Sequence, residues 1–436
     1  MRNKLTRGTE PMPDGLRAAV AQAVRTSHDY FVATQAPEGY WCGELESNAT
    51  MEAEYLLFTH FMGIGDSDTW RKLANHILNV QREDGTWGQY YGAPGDLSTT
   101  VECYFALKLA GYSVNDSCLV KAREFILQKG GVPQTRVFTK IWLALFGQWS
   151  WEDVPTVPPE ISLLPSWFSM NLYDFSSWAR GTILPLSIVL WYRPVCPIPE
   201  EAALPELTPS AQRNHAGTVA RRRTSGMAGA FHLADRALRW YNSLPWHPMR
   251  GLAIRRAAGW IVDHQEEDGS WGGIQPPWVY SLIALKLLGY GIDHTVMHKG
   301  VEGFKEFMIE ENDSLRVQAC VSPLAGQGPS TASQTAWALL ALVSAGEWEH
   351  PSVHRGLQYL VNTQRQDGAW DEPWFTGTGF PGYGAGGRLK GSGRESSSII
   401  QGTELSGGFM INYHLYRNYW PLMALGRFLE RMVREA

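Results

Sequence analysis

Gln265-Glu266-Glu267-Asp268-Gly269-Ser270-Trp271 closes an amphipathic stretch, Gly259-Trp260-Ile261-Val262-Asp263, and opens onto an apolar one beginning at Val279. The same frame of Gln, three residues, Gly, one residue and Trp stands at Gln35-Gly39-Trp41, Gln81-Gly85-Trp87 and Gln364-Gly368-Trp370. Gln35 and Gln81 are 46 residues apart, while Gln265 and Gln364 are 99 apart, so one repeat is two helices long. The second helices resemble one another as well. Val101–Leu109 before Gly111, Val279–Leu287 before Gly289 and Ala336–Leu342 before Gly346 are each small-residue-rich and apolar, with a terminal glycine suited to a left-handed cap. Gln128 and Glu311 mark worn copies that keep the apolar stripe but lack the Trp.

Helix pairs of this kind leave one face uncovered when alone, so they stack into an open solenoid or a closed α/α toroid, with apolar helices lining the inside. An all-α fold is therefore expected. The Gln and Trp of the frame are expected to be structural, the amide satisfying free backbone groups at a helix end and the indole packing over it.

The chain has 436 residues, 44% hydrophobic and 19% charged, enough for two domains. A net charge of −5 argues against a nucleic-acid partner. Five cysteines, an odd number with no Cys-x-x-Cys spacing, argue against a disulfide framework or a zinc ribbon and fit a reducing, intracellular compartment. The N-terminus lacks the apolar core of a signal peptide. The longest apolar run, Thr182–Trp191, is too short to span a bilayer, and reads as either a buried helix or a membrane-dipping segment. Residues 193–230 read as a surface excursion between groups of repeats, and Gly382–Gly408 as a glycine- and serine-rich insert.

Several longer strings resemble the squalene-hopene cyclases of the triterpene cyclase family: Ser177–Arg180, Gly272–Trp278, Gly326–Trp337, Asp371–Pro373 and Thr376–Pro381. The resemblance covers nearly the whole chain. It implies two α/α barrels, the first from residues 20–312 and the second, truncated, from 313–436 together with the extreme N-terminus. It implies a lipophilic cavity for an acyclic isoprenoid such as squalene, acid-initiated carbocation cyclisation of the hopene type, and a monotopic protein on a membrane or lipid-droplet surface. No metal or organic cofactor is implied, and a homodimer is left open. By the same resemblance Trp178 and Phe380 match pocket aromatics, Tyr413 and Tyr416 tyrosines near the pocket floor, Phe175 and Ile183 a channel constriction, and Gln275 and Pro276 the far end of the cavity. Glu52, Glu102 and Arg136 read either as a polar patch near the exit or as a salt-bridged surface.

One departure from the family is large. The initiating acid of such enzymes lies in an Asp-x-Asp-Asp motif, and this sequence contains none. Leu315–Pro323 resembles a segment that continues in the family through further repeats, yet here it runs directly into Leu324-Ala325-Gly326-Gln327, as an internal deletion would leave it. The catalytic acid is therefore unassigned. Glu310, Glu311 and Asp313 lie near the junction and are read as solvated loop acids of ordinary strength. Two other readings stand beside the cyclase: a catalytically inactive isoprenoid- or membrane-binding relative, and a zinc protein like the β subunits of protein prenyltransferases, for which Glu102-Cys103 lies on a suitable helix.

Overall fold

The computed structural model describes residues 15–33, 45–168, 171–175, 177–208, 236–318, 331–373, 377–379 and 409–435. The first Gln-Gly-Trp copy, the Ser322-Pro323 junction, Phe380 and the 382–408 insert lie outside the described residues.

Helices of two kinds alternate along the chain. Thr50–Met62 (α2), Leu97–Leu109 (α4), Val137–Leu145 (α6) and Gln275–Leu287 (α9) are buried on nearly every side. Ser67–Asn79 (α3), Ser117–Gln128 (α5) and Arg250–Asp263 (α8) bury a single stripe each, such as Leu73, Ala74 and Ile77 on α3 or Leu119, Ala122 and Ile126 on α5. An inner helix is hydrophobic all round and an outer one is amphipathic, which is the arrangement of an all-α toroid.

The Gln-Gly-Trp frame is a staple between neighbouring pairs, and its geometry repeats. Gln81 Nε2 donates to Gly85 O (2.9 Å) and to Cys118 O (2.7 Å) on α5. Gln265 Nε2 donates to Gly269 O (3.0 Å) and to Val296 O (2.9 Å) on Thr295–Glu306 (α10). Gln364 Nε2 donates to Gly368 O (2.9 Å) and to Ala23 O (3.0 Å) on Leu16–Ala33 (α1). The indole N–H of Trp87, Trp271 and Trp370 reaches Ile77 O, Ile261 O and Leu360 O at 2.7, 2.7 and 2.8 Å. Each of those carbonyls lies in the last turn of the preceding helix, where intrahelical partners run out. The labour is thus divided differently from the sequence expectation: Trp closes the helix behind it, and Gln ties the loop to the helix ahead.

The terminal glycines behave as expected. Gly111, Gly289 and Gly346 have φ of 97°, 90° and 87°. In each case the glycine N–H and the next N–H return to carbonyls of the final turn, as in Gly289 N to Lys286 O (3.0 Å) and Tyr290 N to Leu285 O (3.1 Å).

The buried residues form two separate cores, one drawn from 49–317 and one from 16–23, 332–370 and 424–428. The chain correspondingly divides into two bodies, the larger centred on Ser47–Cys320, the smaller joining Met1–Glu46, Val321–Thr378 and Ile411–Ala436. In the smaller body Ala332–Ser344 (α11), Pro351–Thr363 (α12) and Tyr416–Glu435 (α13) pack with α1.

Two segments depart from the sequence reading, and a third matches one of its two alternatives. The worn copy at Glu311 is a β-hairpin, Met308–Glu311 against Ser314–Val317, turning on Asn312 and Asp313 at φ of 50° and 60°. Its acids are ion-paired rather than free in a loop: Arg71 holds Asp313, Lys72 pairs with Glu310 (2.6 Å) and Arg316 with Glu311 (2.9 Å). The excursion after 193 is anchored at its start, because Leu204 and Leu207 are buried, Lys108 Nζ donates to Ala203 O (2.6 Å) and Gln148 Oε1 accepts from Leu204 N (2.8 Å). The Thr182–Trp191 run lies in Ser177–Tyr192 (α7), with Leu184, Leu186, Ile188, Val189 and Leu190 in the core, which favours the buried-helix alternative.

Candidate functional site

Carboxylates belong in water, so an ionisable group on an all-apolar inner helix needs a reason to be there. The larger body holds two that face each other. Glu54 on α2 and Glu102 on α4 are both buried, and each carboxyl acts on the ionisation of the other. Burial, followed by the charge of Glu102, lifts Glu54 well above the carboxylate range. Burial also pushes Glu102 up to about 7, opposed by the Arg136 guanidinium and by the hydroxyl of Thr139, which donates to Glu102 Oε1. Both shifts run the same way, so the pair holds protons more tightly than exposed carboxyls do, with Glu102 raised to about 7.

Four elements build the surroundings. Arg136 precedes α6 and is fixed by its backbone N–H to Ser98 Oγ (2.9 Å). Thr139 and Trp142, one turn apart on α6, face the pair; the Trp142 indole N–H is buried without a hydrogen-bond partner, and its proximity lowers Glu54. From α9 comes Tyr280, whose ring lies 5.8 Å from that of Trp142 at 31° and whose hydroxyl is buried without a protein partner. Burial, together with the charges of Glu54 and Glu102, raises the Tyr280 hydroxyl far above its ordinary range, so it stays a donor. Gln275, at the start of α9, donates to Met51 O (3.0 Å) one turn before Glu54 and leaves its Oε1 buried and unmatched. Carboxylate, guanidinium, phenol and indole thus converge where four inner helices meet.

The polar-patch reading is corrected in one member. Glu102 and Arg136 are in it, but Glu52 is not: its Oε1 accepts from Val317 N (2.9 Å) and lies 4.0 Å from His76 Nε2, fastening the hairpin to α2. Two residues along a helix is more than half a turn, so Glu52 and Glu54 point apart. Sequence reasoning also missed Thr139, Trp142 and Tyr280, which carry no mark distinguishing them from other core residues. A carboxylate inside a helix with no polar face was the available signal for Glu54.

The remaining candidates fall in several places. Gln275 is tied to Met51 O on α2; Pro276, half-buried, follows it at the second position of α9. Phe175 and Ile183 are half-buried ahead of and within the first turns of α7, close to where Gly181 meets Pro277 (3.2 Å from an added Cβ). The side chain of Trp178 and the whole of Phe380 lie outside the described residues. Tyr413 and Tyr416 belong to the smaller body, their rings 4.7 Å apart and edge to face, in a cluster continued by Tyr419, Trp420 and Trp337.

Among the described residues no group of three or more His, Cys, Asp and Glu gathers as a metal site would require. Cys103 is fully buried beside Glu102, and burial raises its thiol, so the zinc reading gains no centre there.

Residues 24–313 match the squalene-hopene cyclase N-terminal domain family, and residues 278–384 match the C-terminal domain family. The chain belongs to the squalene-hopene cyclase family. It is 44% identical over 339 residues to the squalene-hopene cyclase of Alicyclobacillus acidocaldarius, covering 76% of this chain and 52% of that protein. It is 34% identical over 344 residues to dammaradiene synthase of Dryopteris crassirhizoma (79% and 49%), and 33% identical over 325 residues to the squalene hopane cyclase of Aspergillus fumigatus (72% and 43%). The chain spans about half the length of the curated relatives it matches.

Proposed function

We propose that this triterpene-cyclase relative receives an acyclic isoprenoid of the squalene class and serves hopene-type cyclisation, with the Glu54–Glu102 pair removing the final proton. A polycyclisation that begins by adding a proton must end by losing one: a C–H bond beside the last cationic carbon breaks, its electrons form an alkene, and a base takes the proton. Glu102 suits that base because burial has raised its proton affinity while Arg136 and Thr139 keep the ionised form accessible. That buried pair, on two inner helices with two more packed around it, is the observation that carries the reading. The aromatic faces of Trp142 and Tyr280 suit a neighbouring cation.

The domain division at 20–312 and 313–436 remains part of this proposal; the two cores support two bodies, with Val20 and Ala23 in the smaller core and Leu315 and Val317 in the larger. So do the assigned roles of Trp178, Phe380, Phe175, Ile183, Gln275, Pro276, Tyr413 and Tyr416. Peripheral attachment to a membrane or lipid droplet is supported by exposed aromatics: Trp167 and Trp246 are 78% and 74% exposed, with Phe168, Tyr173 and Trp240 also open. The segments bearing them are clipped together by Glu160, which accepts from Arg250 Nε (2.7 Å) and from the Tyr241 hydroxyl (2.9 Å). No helix among the described residues is long and apolar enough to cross a membrane.

A second reading, an isoprenoid-binding protein without turnover, is favoured by the lack of Asp-x-Asp-Asp in the sequence. Asp313 is no substitute, since the Arg71 guanidinium holds its carboxyl below the usual range and so keeps it ionised. Incubation of the purified chain with squalene, followed by mass analysis, separates the two. A polycyclic isomer of squalene supports the cyclase; squalene bound and recovered unchanged supports the binding protein; no binding overturns both.

A further inference from the structure

The carboxyl pair depends on Arg136, and Arg136 is held by something else. Its side chain is 30% exposed, so water competes for the guanidinium. Against that pull, Arg136 Nη2 lies 3.3 Å from Asp96 Oδ1 and donates to Thr99 Oγ1 (3.2 Å). Asp96 is itself immobilised: Oδ1 caps α4 by accepting from Thr99 N and Thr99 Oγ1 (2.9 Å each), and Oδ2 accepts from Gln89 Nε2 (3.0 Å). Thr99 and Glu102 are three residues apart on α4 and share a face. The guanidinium therefore lies along the same helix face that carries the carboxyl it serves.

We propose that Asp96 is the positioning residue of this site, holding Arg136 against the Glu54–Glu102 pair and thereby setting when the pair takes or releases its proton. The meaning of this for cyclisation rests on the reading above, whereas the positioning itself does not. The groups facing Glu102 are Glu54 from α2, Asp96 from the head of α4, Arg136 and Thr139 from α6, and Tyr280 from α9.

The sign of the effect makes the idea testable. Asp96 acts directly on Glu102 as a like charge, which favours the protonated carboxyl; acting through Arg136 it favours the ionised one. Arg136 is the stronger influence of the two. Positioning thus predicts that Asp96→Asn, which keeps a competent helix cap, moves the titration midpoint up, while a role through charge alone predicts that it moves down.

The experiment is infrared titration of the protonated-carboxyl stretch on the full chain, with the band assigned by its loss in Glu102→Gln. The wild-type midpoint should fall near about 7. Asp96→Asn should raise it by about one pH unit, the lower end of what a close opposite charge commands. With Arg136→Gln already present, Asp96→Asn should lower it instead. Thr99→Val, which removes the other anchor of Arg136 and leaves the Asp96 cap on the backbone, should also raise the midpoint and serves if Asp96→Asn folds poorly. A midpoint that falls or stays still in both single variants overturns the proposal. Because the readout is titration, failure to cyclise squalene would sink the functional reading without touching this result.

Discussion

Gly269→Ala tests the staple that joins repeats, and the structure supplies its control. Gly269 and Gly289 have φ of 91° and 90°, so an alanine at either suffers the same left-handed backbone, worth about 1 to 2 kcal/mol. Their surroundings differ. A Cβ at Gly289 meets nothing within 4 Å, whereas at Gly269 it would lie 2.2 Å from Lys299 O and 2.9 Å from Lys299 C, both backbone atoms of α10. Relief requires α10 to withdraw, which strains the bond from Gln265 Nε2 to Val296 O and opens the packing, a further loss of about 2 to 3 kcal/mol by the usual scale of overpacking and one hydrogen bond. Urea unfolding followed by tryptophan fluorescence should therefore show Gly289→Ala mildly destabilised and Gly269→Ala lower by that additional amount. Equal losses in the two variants would mean that the loop does not brace the next helix, and the account of the repeat would fail.

Other consequences follow from the same geometry. Trp271→Phe shrinks the buried ring and removes the 2.7 Å bond to Ile261 O, leaving that carbonyl only the long bond from His264 N (3.4 Å), and should cost about 1 to 3 kcal/mol in the same unfolding assay. Glu372→Ala removes the carboxylate that accepts from Ser333 N (2.9 Å) and Ser333 Oγ (2.7 Å) at the head of α11, and should lower the melting temperature in line with a lost cap of about 1 to 2 kcal/mol. The buried pair predicts a pH dependence. Carboxyls raised above their unfolded value bind more protons when folded, so their contribution is present below about 4.5 and declines as pH rises through about 7. Melting at pH 5 and pH 8 should show that decline in the wild type and a smaller one in the Glu54→Gln, Glu102→Gln double variant; equal declines would argue against a buried, proton-holding pair.

The repeat was readable because its punctuation is local. A glycine forced to positive φ, a Gln and a Trp at fixed offsets describe one loop whose bonds reach only the adjacent helices, so spacing alone gave the helix-pair architecture. The site was less readable. On an amphipathic helix the apolar stripe reveals which way each residue points, but α2 is buried all round and has no such stripe, so nothing in the sequence distinguished Glu54 from Glu52. The hairpin at 308–317 was hidden by Phe304, Phe307, Met308 and Ile309, whose apolar run fits the end of a helix as well as the start of a strand. Its turn signal, Asn312-Asp313, was present, and the docking partners Arg71, Lys72 and Asn75 stand more than two hundred residues away. The anchoring of 200–208 likewise depends on Lys108 and Gln148, contacts that composition alone does not disclose.

The most direct test of the central claim is the affinity of the purified chain for an acyclic isoprenoid amine whose ammonium stands in for the final cation, compared between wild type and Glu102→Gln at neutral pH. An ionisable Glu102 beside the bound cation predicts at least about tenfold weaker binding by the variant, the change expected when a buried charge partner is removed, and no difference for squalene itself. Equal affinity of the two proteins for the amine would contradict the assignment of the Glu54–Glu102 pair as the base that ends the reaction.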